Sequence, residues 1–163
     1  MLTYVIPITY NHIAVSYIAR TYLACEKKRR YRACSPEDEL LYHKSMVFNF
    51  DKAKGKRVIV VEGLFDALKL IQGSGRYDIV ATYGTAVKPE QLAFLREHYE
   101  EIIIMFDDEI LAQEHARHMV SYLQSYGIKA KSISLKGYED PGELELEVAN
   151  KLVNYLLDMQ WRD

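Results

Sequence analysis

The chain has few cysteines and no long apolar stretch. Only Cys25 and Cys34 are cysteines among its 163 residues. Two isolated cysteines are too few for a disulfide framework or a four-ligand zinc site, so we interpret both as free buried thiols. The sequence also shows no signal peptide and no uncharged apolar run long enough to span a bilayer, which predicts a cytoplasmic protein with no membrane partner. These absences exclude the disulfide-rich secreted class and the transmembrane class.

Charge is distributed unevenly along the chain. Residues 1–57 hold 11 Lys and Arg against 5 Asp and Glu, a net charge of +6, whereas residues 58–163 have a net charge of −8. A basic segment beside an acidic domain favours a nucleic-acid partner. The alternative is two solvated surfaces of opposite sign. We therefore divide the chain into a basic N-terminal segment, 1–57, and one domain, 58–163.

Acidic side chains follow two predicted strands. Residues 58–61 are four β-branched residues without alternation, a pattern typical of a strand buried on both faces of a parallel sheet, and Glu62 follows them. Residues 102–106 form a second such run, which ends at Asp107. If the strands are neighbours, about 5 Å apart, Glu62 and Asp107 meet at one sheet edge and fit a hard cation such as magnesium. The alternative is that each acid caps the helix after it.

Strand and helix patterns alternate after residue 57, which predicts an α/β fold with a parallel four-stranded sheet flanked by helices. A small β-hairpin is predicted before it, with a turn at Asn11 and His12. Residues 26–32 are too polar to bury and predict a loop or arm, and Ser35 and Pro36 predict the start of a helix. The predicted strands are 2–9, 13–19, 58–61, 78–82, 102–106 and 129–135, and the predicted helices are 64–72, a segment from Pro89, 110–126 and a segment after Pro141.

Four motifs occur in the order and spacing of a Toprim domain. They are Val-Val-Glu-Gly-Leu-Phe-Asp at 60–66, Ala-Thr-Tyr-Gly-Thr-Ala at 81–86, Met-Phe-Asp-Asp-Glu at 105–109 and Gly-Tyr-Glu-Asp-Pro at 137–141. Together they resemble the Toprim domain of bacterial DnaG-type primases. The resemblance implies a Toprim-type fold, phosphoryl-transfer chemistry and acidic residues that hold Mg²⁺ or Mn²⁺.

The resemblance also implies roles for individual acids. Glu62, Asp107 and Glu109 match the catalytic, metal-binding positions. Further matched positions are Asp140 as a metal ligand, and Gly63, Asp66 and Asp108 in support. The chain departs from the family at three places: Glu109 stands where the family has Asp, Asp108 where it usually has Gly, and Gly142 where the last motif has a second Asp.

Basic residues of the N-terminal segment resemble the primase segment that contacts the template or the incoming nucleotide. Lys44 is the best match, Arg30 and Arg32 align less closely, and Arg20 ends the predicted hairpin. The alternative for each is a solvated surface charge. Gly84 and Thr85 are predicted to give close backbone approach and a hydroxyl near phosphate, or else to form an ordinary strand-to-helix turn.

The resemblance predicts a primase catalytic protein that makes RNA primers on single-stranded DNA from nucleoside triphosphates. The zinc ribbon, most of the basic subdomain and the helicase-binding region of the family have no match, which suggests a compact, split, or phage or plasmid form. Its expected partners are a replicative helicase or a separate zinc-ribbon subunit. The alternatives are a small Toprim nuclease and a non-catalytic nucleic-acid-binding module.

Overall fold

A small antiparallel sheet forms the N-terminal part of the protein. The computed structural model describes residues 3–21, 31–135 and 137–161. Strands β1 and β2 form the predicted hairpin, and Asn11 and His12 in its turn both have positive φ, 51° and 65°. Such turns match the right-handed twist of the paired strands. The sheet has the order β1-β2-β3 and consists of β1 (Thr3–Tyr10), β2 (Ile13–Thr21) and β3 (Tyr31–Ala33).

The larger sheet is parallel throughout, as predicted. Its strand order is β5-β4-β6-β7, so the two strands that precede the acidic motifs, β4 and β6, are neighbours. None of the helices in the described ranges is both long and apolar enough to cross a membrane. The elements are β4 (Arg57–Val61), α1 (Leu64–Ser74), β5 (Ile79–Ala81), α2 (Pro89–His98), β6 (Glu101–Ile104), α3 (Ile110–Ser125), β7 (Lys129–Ser132) and α4 (Leu146–Asp158).

The continuous apolar run of β4 is explained by burial on both faces. Ile59 and Val61 pack into a core with α1 and α4, whereas Val58 and Val60 pack into a second core with α2 and α3. All four side chains are fully buried. Burying each side chain contributes roughly 1.5–3 kcal/mol. Helices on one face of the sheet alone would leave the side chains of the other face exposed to water, so the strand requires helices on both faces.

The small sheet continues the first of these cores. Ile8, Val15 and Ile18 belong to the same buried cluster as Ile59. The chain then reaches the edge of the parallel sheet, where the Phe48 backbone N–H donates to the Ala81 carbonyl over 2.9 Å. The division at residue 57 stays a prediction, and an apolar core extends across it.

Two local predictions in the N-terminal segment were wrong. Tyr31 and Arg32 are not in a loop but in β3, because they pair with Arg20 and Ala19 of β2. The rest of the predicted arm lies outside the described residues. Ser35 does not start a helix: its hydroxyl donates to Asp38 over 2.5 Å and closes a turn. Both features depend on contacts that residue preferences do not encode.

Arg57 connects the C-terminal end of α4 to the parallel sheet through hydrogen bonds. Its Nη1 donates to the backbone carbonyls of Leu156, Leu157 and Met159 over 2.6–3.1 Å, and its Nε pairs with Glu101 at 2.6 Å. The side chain is only 14% exposed, so its charge is compensated by these partners rather than by water. A single guanidinium therefore satisfies carbonyls that a helix terminus otherwise leaves unpaired.

We expect Arg57→Ala to lower the free energy of unfolding by about 3 kcal/mol, because it leaves a half-buried carboxylate and three carbonyls without their donor. Urea denaturation at pH 7 measures the change. Lys56→Ala is the matched control, since the neighbouring Lys56–Glu100 pair is largely exposed and its loss should change stability little. Equal effects of the two substitutions would contradict the role given to Arg57.

Candidate active site at the carboxyl edge of the parallel sheet

Glu62 and Asp107 meet at the carboxyl edge of the sheet. They follow β4 and β6, whose residues Val60 and Ile104 are paired in parallel register. The Glu62 side chain is almost buried, and its Oε1 accepts a hydrogen bond from the Asp107 backbone N–H at 3.1 Å. Glu62 therefore does not cap the helix after it, the alternative considered from the sequence. It fixes the start of the second acidic loop.

Asp66 is enclosed by two glycines. Its Oδ2 accepts from the Gly63 backbone N–H at 3.1 Å. A β-carbon added to Gly142 would lie 2.7 Å from Asp66 Oδ1 and 2.9 Å from Asp140 Oδ1, and one added to Gly63 would also collide with the Asp66 carboxylate. Gly142 stands where DnaG-type primases have a second Asp. Its lack of a side chain leaves room for the carboxylates of Asp66 and Asp140, which face each other.

The acids raise one another's pKa. Burial and the charges of Glu62, Asp66, Asp140 and Glu109 raise the pKa of Asp107 to about 7. Burial and then the Asp140 charge raise the pKa of Asp66 to about 6. Asp107 Oδ1 is also buried and has no hydrogen-bond partner among the described residues. Repulsion between the carboxylates destabilises such a cluster, and a bound cation would reduce this repulsion.

The acidic side chains share one open cavity of about 770 Å³, which Asp107, Asp108, Glu109 and Asp140 line. Glu109 is exposed at the N-cap of α3 and makes no capping hydrogen bond. Asp140 Oδ1 accepts from the Glu143 backbone N–H at 3.0 Å. In the part of the chain that the structure describes, no three His, Cys, Asp or Glu side chains form a ready ligand set. The four acids predicted as ligands therefore lie near the same edge of the sheet, but their side chains do not converge on one point.

Asp108 makes a contact of another kind. Its Oδ1 accepts from the Ser134 hydroxyl at 2.7 Å, and its backbone N–H donates to the Glu139 carbonyl at 2.8 Å. These bonds join the loop after β6 to the loop after β7. The supporting role of Asp108 stays a prediction, and Asp108 lines the cavity together with the acids on either side of it.

Lys44 is brought to the same edge by the N-terminal segment. It lies in a short 3-10 helix, His43–Ser45, and lines a second cavity of about 420 Å³ together with Gly63. Arg20 lies with its guanidinium 4.1 Å from the centre of the Phe65 ring, beside Asp66. Arg32 is exposed on β3. Arg30, like Lys27, Lys28 and Arg29, lies outside the described residues.

The turn after β5 is strained. Tyr83 has a φ of 63° and Gly84 a φ of 123°. The left-handed region is unfavourable for Tyr, and such residues concentrate at functional sites. The Gly84 backbone N–H donates to the Glu62 carbonyl at 2.9 Å, which explains its position. Thr85 lines a different groove, against α3, and is not brought to the cavity that holds Lys44.

Sequence reasoning did not identify the pair formed by Glu39 and His43. The two side chains are 3% and 9% exposed, and His43 Nδ1 lies 2.5 Å from Glu39 Oε1. Glu39 Oε1 also accepts from the Ser16 hydroxyl of β2 at 2.8 Å. The adjacency of His43 to Lys44 was the only available signal, because the burial of Glu39 depends on β2 and on Tyr83.

The Asp107 titration predicts a pH-dependent stability. In metal-free buffer the free energy of unfolding should fall by about 1–2 kcal/mol as the pH rises from about 4 to about 7, after a discount for the partial exposure of this carboxyl. The folded-state pKa of about 7 lies above the ordinary value of 3.8, so the folded state binds more protons in this range and loses that stabilisation as the pH rises. Urea denaturation at several pH values measures it.

Asp107→Asn should reduce this fall and leave the part that comes from Asp66, whose pKa is raised to about 6. Asp108→Asn, which replaces the exposed neighbour, should retain the whole fall. An unchanged pH dependence in Asp107→Asn would contradict the electrostatic coupling described above.

Comparison with known proteins places this edge in a family context. A family model described as Toprim-like matches residues 59–144. A DNA primase of Staphylococcus aureus is 29% identical in an alignment over 134 residues that covers 79% of this chain and 22% of that protein. The chain therefore spans about a fifth of the length of this relative.

Solved structures agree on the fold. The zinc-binding and RNA polymerase domains of the Aquifex aeolicus primase match with a TM-score of 0.78 and 25% identity, covering 94% of this chain and 39% of that one. A DnaG primase catalytic domain bound to single-stranded DNA matches with a TM-score of 0.76 and 20% identity, covering 94% and 50%. Each of these similarities includes the small antiparallel sheet as well as the parallel one, since it covers nearly the whole chain.

Proposed function

This chain belongs to the Toprim-like family, and on that basis we propose that it is a catalytic part of a DnaG-type primase. It would act as a DNA-directed RNA polymerase, joining nucleoside triphosphates into short RNA primers on a single-stranded DNA template during replication. The name of the Staphylococcus aureus relative supports the reaction, and the DNA-bound DnaG structure supports the template.

The position of Lys44 beside the acidic edge supports this proposal. Lys44 and Gly63 line the same cavity. Glu62, which precedes Gly63, accepts a hydrogen bond from the Asp107 backbone N–H. An enzyme that joins nucleotides needs a cationic side chain that binds the triphosphate. This side chain must lie beside the acids that bind the metal and accept the proton. A nuclease needs only the acids. The placement of Lys44 thus favours synthesis over cleavage.

A divalent cation, Mg²⁺ or Mn²⁺, would be held by Glu62, Asp107, Glu109 and Asp140. The unpartnered Asp107 Oδ1 and the raised pKa of Asp107 support the fit, because both are relieved by a bound cation. When bound, such an ion stabilises the charge that develops on phosphoryl oxygens. Carboxylate oxygens are the ligands that both ions accept.

The side chains of this chain would divide the remaining work. Glu62 accepts a hydrogen bond from the Asp107 backbone and would take the proton of a 3′-hydroxyl bound at the sheet edge. Lys44 would bind the nucleotide phosphates in the cavity that it lines together with Gly63. Arg20, held on the Phe65 ring, adds positive charge beside Asp66 for the template strand.

Incubation with labelled ribonucleotides and a labelled single-stranded DNA, in the presence of Mg²⁺ or Mn²⁺, tests the reaction class. New labelled oligomers are the expected result, either alone or after addition of a replicative helicase or a zinc-ribbon primase subunit. A shortened template without new oligomers would instead identify a nuclease. Template binding without either product would identify a non-catalytic binding module.

A further inference from the structure

The cavity beside Lys44 has the walls of a nucleoside site. Its volume of about 420 Å³ falls in the range of small-molecule pockets. Most of its lining is apolar, with Ile18, Leu64 and the Tyr31 ring on its walls. Tyr31 is 47% exposed, and the Arg20 guanidinium lies over its ring, 5.3 Å from the centre. The exposed part of the ring offers a surface on which a base can stack.

His43 and Lys44 are the two lining side chains of this cavity that carry nitrogen, and Nδ1 of His43 faces Glu39. Glu39 Oε1 accepts from both Ser16 and His43, and a carboxylate only accepts, so the His43 hydrogen resides on Nδ1. In the neutral imidazole the second ring nitrogen, Nε2, then carries a lone pair, and it makes no hydrogen bond with any described residue. This nitrogen can therefore accept a hydrogen bond from a donor that enters the cavity.

The surroundings of His43 are tightly determined. The Tyr83 ring packs against His43 edge-to-face, with centroids 5.4 Å apart. The Tyr83 hydroxyl is buried without a partner in the described residues, and Tyr83 holds its unfavourable backbone conformation at this point. Strain and an unsatisfied polar group persist where function requires them. The imidazole is therefore held rigidly between Glu39 and Tyr83.

We propose that His43, oriented by Glu39, accepts a hydrogen bond through Nε2 from the ribose 2′-hydroxyl of a bound nucleoside triphosphate and so selects ribonucleotides over deoxyribonucleotides. This assignment rests on the proposed function. His43 is the residue that contacts the substrate, and Glu39 is a positioning residue.

The ribose is the part of a nucleotide that this geometry suits. A lone pair repels a phosphate oxygen but accepts a hydroxyl hydrogen. Lys44, the next residue, supplies the positive charge for the phosphates, and the apolar walls suit the base and the sugar. The 2′-hydroxyl is also the group by which a protein distinguishes a ribonucleotide from its deoxy form.

The test compares the affinities of ATP and dATP by calorimetry, without template and with Mg²⁺ in the buffer. The wild-type protein should bind ATP about tenfold more tightly, since dATP leaves Nε2 without a donor. His43→Phe keeps a ring but has no acceptor, and its ratio of affinities should fall to about one. His118→Phe on the exposed side of α3 is the matched control and should keep the wild-type ratio.

Glu39 is tested by two substitutions. Glu39→Gln retains an acceptor for the Nδ1 hydrogen and should keep the preference for ATP, whereas Glu39→Leu should lose it. Because buried substitutions can disturb folding, the imidazole nitrogen resonances of the wild-type protein provide a second measurement. ATP should shift the His43 Nε2 resonance more than dATP does, and the His118 resonances should stay unchanged.

The outcomes separate this assignment from the proposed function. Primer synthesis with equal affinity for ATP and dATP, or an unchanged ratio in His43→Phe, would overturn the role of His43 and leave the primase proposal standing. A preference for ATP that disappears in His43→Phe, without any oligomer synthesis, would support the role of His43 and count against the primase. Failure of ATP to bind would overturn the assignment.

Discussion

Glu62→Gln should reduce oligoribonucleotide synthesis by about 10²- to 10³-fold, because the substitution removes both a negative charge at the metal position and the proton acceptor for the 3′-hydroxyl. The fold should survive. The amide oxygen of Gln can still accept the hydrogen bond that Glu62 Oε1 takes from the Asp107 backbone N–H at 3.1 Å. Initial rates of labelled primer formation at saturating nucleotide measure the effect.

A matched control is Glu100→Gln, which makes the same chemical change at an exposed glutamate that is paired with Lys56 and precedes β6, at the end of this strand opposite to Asp107. Its rate should equal that of the wild-type protein. Calorimetric titration with Mn²⁺ adds an independent reading, and Glu62→Gln and Asp107→Asn should both weaken binding. Wild-type rates and wild-type metal affinity in these variants would rule out the acidic edge as the active site.

Lys44→Ala should also reduce primer synthesis, by about 10²-fold, while template affinity falls less than about threefold. The reason is position: Lys44 lines the cavity with Gly63, next to Glu62, where a triphosphate would carry its charge. A lysine that merely contacts one template phosphate supplies a small, salt-screened part of binding and has no separate effect on rate. Rates at saturating template, together with fluorescence anisotropy of labelled single-stranded DNA, separate the two roles.

Lys52→Ala removes an exposed lysine of the same segment, which lies over the Tyr77 ring, and serves as the control for lost charge. Its synthesis rate should stay near wild type. Lys44→Arg keeps the charge but changes its shape, so it should recover part of the rate. If Lys44→Ala lowers template affinity and synthesis equally, Lys44 is a template contact and the nucleotide role is wrong.

The sequence by itself determined the larger sheet. Runs such as 58–61 and 102–106 contain no residue that could face water, so each had to be a strand covered on both sides. Helical periodicity between the runs then required the crossovers that make such a sheet parallel. The sequence did not determine the strand order: the adjacency of β4 and β6 was a condition of the predicted site, and the structure has these strands as neighbours.

The sequence determined less of the site. The strand pattern predicted that Glu62 and Asp107 share one sheet edge, and the resemblance to DnaG-type primases added Glu109 and Asp140 as expected ligands. The sequence did not determine that Glu62 bonds the Asp107 backbone instead of capping a helix. That contact joins residues 45 apart and depends on the parallel register of β4 and β6.

Only the tertiary structure decided the surroundings of Lys44. The strand β3 forms because β2 offers it a pairing edge, not because Tyr31 and Arg32 favour extended structure. Glu39 is buried only because Ser16 and His43 converge on it from separate elements, and Tyr83 adopts its unfavourable φ only where that packing holds it. Local preferences amount to a few tenths of a kcal/mol per residue, whereas a buried charge without a partner costs several, so nonlocal packing determines these positions.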